Sequence, residues 1–196
     1  MLKPDRRIAL DGMREKWGAS KCMIRKRRAI PPDRWADEQE FEKCFRRMGH
    51  LARHLALLQK QYHADRGLYC EYLLACLINV MIRNWPDIEF GKELKSVGAA
   101  AAEGVQLVGE HDVPISFFRD LLMGQEILDA DDWQYLLATC LRLKRIAPEE
   151  DARLRKMKWK QNRPVHAYRD AGIHLTDSSR KLESAFRRFL DRKFAV

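Results

Sequence analysis

Glycine and proline are scarce, with 10 Gly and 7 Pro in 196 residues. That excludes a collagen-like or low-complexity chain and leaves few turn residues for a many-stranded β architecture. Long apolar runs are missing too. The longest, Leu73 to Ile82, is interrupted by Asn79 and is too short to span a bilayer. The opening stretch MLKPDRRIALDGMREKW has no apolar centre, so a secretory signal is not expected. No Asn-x-Ser/Thr sequon occurs. Catalytic signatures are also absent: there is no GxxxxGK[ST] phosphate loop, no GxGxxG, no GxSxG, no HExxH and no ExxH pair. With no group to which a chemical role can be given, the expectation is a protein that is not an enzyme and has no catalytic residues or cofactor.

Cysteine is present but not organised. Cys22, Cys44, Cys70, Cys76 and Cys140 are odd in number and include no C-x-x-C pair. Four of them stand among apolar neighbours, where a free thiol acts as a small hydrophobe. A reducing compartment is expected: the cytoplasm, or the nucleus if the chain is eukaryotic or is delivered to a eukaryotic cell. Cys70 and Cys76 lie six apart, on different sides of a helix, and match no common metal spacing. His50 and His54 share a helical face, yet a tetrahedral zinc site needs about four ligands. Arg47 and Arg53 flank the pair and would repel a cation. No metal site is expected.

What the sequence has in quantity is charge and helical periodicity. Hydrophobic residues make up 46% and charged residues 33%, enough of both for one soluble globular domain. The net charge of +9 is unevenly spread. Residues 1–30 carry ten basic and three acidic groups, and residues 148–196 carry thirteen and seven. Residues 67–147 carry seven basic and twelve acidic groups. Two cationic ends on a mildly anionic middle fit an acidic partner: nucleic acid, an acidic protein or an anionic membrane face.

The chain divides into a basic arm (1–30), a helical core (31–147) and a basic helical segment (148–196). After Pro31-Pro32, the residues Phe41, Phe45, Met48, Ala52, Leu55 and Leu58 recur at steps of three and four. They predict a long helix over 34–64. Residues 68–84 are apolar nearly all round and predict the central core helix, with Leu74, Leu77 and Ile78 inside. Further helices are expected over 87–108, over 114–123, after the acidic cap at Leu128–Asp132, from Pro148 through the cations up to Lys160, and from Thr176 to the end. Residues 162–175 read as irregular around Pro164 and Gly172. No stretch alternates long enough for a sheet. The fold class is therefore all-α, a single compact domain of about seven helices.

The stretch from Ala99 to Leu143 orders a small-residue helix, a turn, the short helix Ile115 to Met123 and an acid-capped helix. This order resembles the helix-turn-helix plan of phage-repressor-type regulators, which implies a second helix lying in a DNA groove. That second helix carries Phe117 and Phe118 and has Asp112, Asp120 and Glu126 as neighbours. Phosphate contacts demand cations, so plain helical packing is the expectation there.

The basic ends are the candidate binding elements. Residues 153–169, RLRKMKWKQNRPVHAYR, interleave cations with aromatics, the pattern that pairs phosphate contacts with base stacking. Arg155, Lys156, Lys158, Trp159, Lys160, Arg163 and Tyr168 are the candidates there. Arg25, Lys26, Arg27 and Arg28 are the candidates in the N-terminal arm. Met157, Trp159 and Tyr168 would equally serve as packing residues. The last helix offers a second option, membrane contact through Phe186, Phe189, Leu190 and Phe194, although the same face would close a core. The resulting expectation is a non-enzymatic regulatory or accessory protein that binds nucleic acid, DNA or RNA. The alternative is a protein–protein adaptor, inhibitor or effector whose basic surface meets an acidic protein. No stable membrane insertion is expected.

Overall fold

The computed structural model of the chain describes residues 35–67, 69–84, 94–158 and 166–195. Within them the chain is mostly helical, with one small sheet. The longest element is α1 (Trp35–Ala64), at about 1.5 Å per residue some 45 Å long. Phe41, Met48, Ala52, Leu55 and Leu58 of the predicted stripe are buried, Phe45 is half-buried against the same core, and Leu51 is buried beside them.

The helix at the centre is not the one expected. It is α5 (Ala130–Cys140), which buries Trp133, Tyr135, Leu136, Leu137, Ala138 and Cys140 and packs along α1. The two axes approach closely at Gly49. A Cβ there would stand 2.9 Å from the Gln134 amide, which itself donates to the Phe45 carbonyl. Asp129 starts α5: its carboxylate accepts from the Asp132 N–H, and Asp132 answers at the Asp129 N–H.

The apolar helix α2 (Glu71–Asn84) lies at the flank. Leu74, Ile78 and Ile82 face inward, against α4 (Ile115–Met123), which buries Phe117, Phe118 and Leu122. Tyr72, Leu73 and Val80 are exposed, and Leu77, expected in the core, is 39% exposed. Composition alone misplaced this helix. A helix apolar all round still buries only the face that meets a neighbour.

The expected helix over 87–108 is also corrected. Among the described residues only α3 (Val97–Ala101) is helical there, capped by Ser96. Gly104, at φ +70, turns the chain away. The chain then enters β1 (Val108–His111), which pairs antiparallel with β2 (Leu143–Ile146), Val108 opposite Ile146 and His111 opposite Leu143. Leu94–Ser96 extends this patch beside β2: the Arg145 N–H donates to the Leu94 carbonyl (2.7 Å) and the Ser96 N–H to the Arg145 carbonyl (3.0 Å). So a sheet exists where none was expected, because four-residue strands are too short to show a period of two. Thirteen residues, β1 among them, separate α3 from α4, so these helices do not form the compact turn of a helix-turn-helix.

The C-terminal part holds α6 (Pro148–Lys156), α7 (Ala167–Asp170) and α8 (Asp177–Lys193). The short α7 lies in a stretch expected to be irregular. Phe186, Phe189 and Leu190 of α8 are buried, with the Phe186 and Phe189 rings 5.2 and 5.8 Å from Phe41. The face offered as a membrane contact is thus a core seam. No helix among the described residues is long and apolar enough to cross a membrane.

Candidate nucleic-acid interface

The cationic end of α6 follows from how its carboxylates are placed. Pro148 begins the helix, and Glu149, Glu150 and Asp151 fill the first turn, where the positive end of the helix dipole favours them. Glu150 turns inward and is 5% exposed. Its carboxylate accepts from the Ala147 N–H (2.8 Å) and from the Ser96 hydroxyl. Asp151 is buried as well and binds Arg155. Arg153 donates to the Ala171 carbonyl at 2.8 Å. Lys156 and Lys158 are exposed beyond these pairs. The helix closes at Lys158, which takes a left-handed φ of 59°.

Of the residues singled out from the sequence, Arg155, Lys156 and Lys158 therefore lie together at one helix end. Tyr168 does not join them at the surface. Its ring packs on the small cluster of Ile146, Leu154, Ala167, Ala171 and Ile173, and the Lys144 ammonium sits 4.8 Å over it. Trp159, Lys160, Arg163, Arg25, Lys26, Arg27 and Arg28 lie outside the described residues.

The same asymmetry runs through α8. Asp177 binds Arg180, which holds its carboxyl below the ordinary value through that hydrogen bond and the attached charge. Glu183 faces Lys144 at 3.7 Å. Arg192 and Lys193 reach across to Glu38 and Glu42 of α1. Lys181, Arg187 and Arg188 stand exposed; Lys181 lies near enough to Asp177 to help lower its carboxyl, and Arg187 and Arg188 form no ion pair with a described carboxylate. Carboxylates of this part are mostly buried or bound to a cation, whereas five cations (Lys156, Lys158, Lys181, Arg187 and Arg188) face solvent.

One polar cluster escaped the sequence reading. Arg142, at the head of β2, is buried. Its guanidinium donates to the Ala138 and Leu141 carbonyls (2.6 and 3.3 Å) and lies 4.7 Å over the Phe186 ring. Burial lowers its pKa, against the opposing pull of Glu183 and Asp112. Lys144 donates to Asp112 at 2.9 Å. Its burial works against the charge, but Asp112 and Glu183 outweigh that and raise its pKa. Two cations and two carboxylates balance, so this cluster braces β2 against α8 and adds no surface charge. A sequence signal existed in the Leu-Arg-Leu-Lys alternation at 141–144, but alternation normally sends the charges outward.

Among the described residues no three His, Cys, Asp or Glu side chains come close enough to hold a metal ion. His50 accepts from Arg53 at 2.9 Å. Comparison with protein families, with curated proteins and with solved structures finds no match for this chain.

Proposed function

We propose that this chain is a non-enzymatic regulatory or accessory protein that binds nucleic acid through its cationic C-terminal part, helped by Arg25, Lys26, Arg27 and Arg28 of the N-terminal arm. One observation carries the reading. From Pro148 onward most carboxylates are buried or engaged, whereas Lys156, Lys158, Arg187 and Arg188 are exposed and form no ion pair with a described carboxylate. A polyanion with regularly spaced phosphates is the partner that such a surface attracts most strongly, through release of its counterions. The absence of any catalytic signature in the sequence supports the non-enzymatic part.

The test is the affinity of the full chain for labelled oligonucleotides by fluorescence anisotropy. Changing Lys156 and Lys158 to Gln should weaken binding to unrelated sequences about equally, because phosphate contacts carry no sequence information. Unchanged affinity would remove α6 from the interface.

A second reading has one observation in its favour. The outer face of α2 exposes Tyr72, Leu73 and Val80, with Leu77 partly so. Exposed apolar groups of this kind mark contacts with other proteins. An adaptor whose basic surface docks on an acidic protein would use both features. Binding of an acidic polypeptide such as polyglutamate in preference to oligonucleotides would favour it.

A further inference from the structure

We propose that α8 is a docking helix for the phosphate backbone of duplex nucleic acid, lying across a groove and not in it; this rests on the nucleic-acid reading above. The first observation is orientation. Leu182, Ala185, Phe186, Phe189 and Leu190 face the protein, so a large part of the helix circumference is occupied. A helix is about 10–12 Å across with its side chains, and the major groove is about 12 Å wide. With that side taken by its own domain, α8 offers a duplex only its outward arc. It can rest on the groove walls, as the first helix of a helix-turn-helix rests on the backbone.

The second observation is spacing. Lys181 and Arg188 are seven residues apart, two turns, on the same outward face. At about 1.5 Å per residue this sets their backbones about 10 Å apart, close to the separation of the two groove walls once flexible side chains are added. Arg187 stands beside Arg188, and Arg180 beside Lys181. Between the two groups the outward position is Ser184, short, uncharged and exposed. Its size lets the helix approach the groove without a side chain in the way.

The third observation separates duplex from single strand. Single strands are held largely by aromatic side chains on which bases stack. Every aromatic of α8 points inward: Phe186 and Phe189 are buried, and they pack against α1. The outward arc carries the cations together with Asp177, which is bound to Arg180, and the half-buried Asp191, and it has no stacking platform. The same buried seam argues against an anionic membrane, since no apolar group of this helix is left to insert.

The experiment compares the full chain with the variant Lys181→Gln/Arg188→Gln. The probes are a random-sequence DNA duplex, an RNA duplex, a single strand of equal length and phosphatidylserine vesicles. Both positions are exposed, so the variant should melt with the wild type. The expected result is tighter binding of the wild type to duplex than to single strand, with a logarithmic salt slope that becomes shallower by about 2 in the variant, one phosphate contact per cation. A larger loss on the DNA duplex than on the RNA duplex is expected, because the spacing fits the walls of the B-form major groove and the A-form major groove is deep and narrow. Equal affinity for duplex and single strand, or an unchanged slope in the variant while the wild type still binds, would overturn the proposal and leave the broader reading standing. Binding to vesicles but to no duplex would overturn it in favour of lipid. No binding of the wild type to any nucleic acid would overturn both.

Discussion

Replacing Gln59 with Leu should cost about as much as emptying a core site. Gln59 is wholly buried on α1, and its amide makes four hydrogen bonds. It donates to the Leu121 and Glu126 carbonyls (3.0 and 2.9 Å) and accepts from the Leu128 N–H and the Trp133 indole N–H (2.8 and 3.2 Å). That single side chain clamps the α4–α5 connection onto α1. Leucine has nearly the same volume and keeps the packing, so the loss is one of hydrogen bonding. The Leu121 carbonyl keeps its bond from the Gly124 N–H, and Glu126 is near enough to solvent for its carbonyl to find water. The Leu128 N–H and the Trp133 indole have no such recourse. Each buried donor left facing a methyl group costs about 1–3 kcal/mol. With a partial gain from the added apolar surface, the net is about 2–5 kcal/mol. For a chain of this size that is a fall in Tm of roughly 5–15 °C. Urea denaturation monitored by far-ultraviolet circular dichroism measures it. Gln61→Leu, at an exposed position on the same helix, should change stability by less than about 0.5 kcal/mol. A midpoint for Gln59→Leu that matches Gln61→Leu would refute the clamp.

Three further outcomes follow from the packing. Ile78→Ala, at a fully buried position, should cost about 2–5 kcal/mol, and Leu77→Ala, one residue earlier and 39% exposed, clearly less; equal costs would mean α2 is not a flank helix. Gly98→Ala would push a Cβ to 2.6 Å from the Glu150 carboxylate, which Ser96 and Ala147 already hold, so a loss of about 1–3 kcal/mol is expected in thermal melts, and an unchanged Tm would show that this contact yields freely. Burial pushes the Cys44 thiol up to about 11, with Arg142 and Arg47 pulling it partly back, against 9.0 for an open thiol. Between those values only the unfolded chain loses the proton. Stability should therefore fall as pH rises from about 9 to 11, and less so in Cys44→Ala; an identical pH profile in the two proteins would contradict this.

Much of this architecture was legible because it repeats. The stripe of α1 from Phe41 to Leu58 recurs over about five turns, and the aromatic face of α8 is written as plainly. The acidic cap at Asp129 and the proline at position 148 mark helix starts that the structure places within a residue or two of the expectation. Centrality was not legible. Leu77 and Ile78 are both large and apolar, and only the position of α4 decides which is buried. Nor were the strands, since β1 and β2 are four residues each and their pairing joins segments more than thirty residues apart. The buried Arg142 and Lys144 were hidden for a related reason: their carboxylate partners, Asp112 and Glu183, come from distant parts of the chain. At the candidate interface the cations of α6 were read from the sequence, and Tyr168 illustrates the limit. An aromatic among cations reads alike whether it awaits a base or packs on Ile146 and Leu154 beneath a lysine.

The central claim is that the cationic surface serves a polyanion with phosphates. Its most direct test is the affinity of the full chain for random-sequence nucleic acid measured from about 50 to 300 mM salt. A straight logarithmic fall with a slope of about −2 or steeper is expected, corresponding to two or more phosphate contacts. No detectable binding at the lowest salt, or an affinity that salt does not change, would contradict the account.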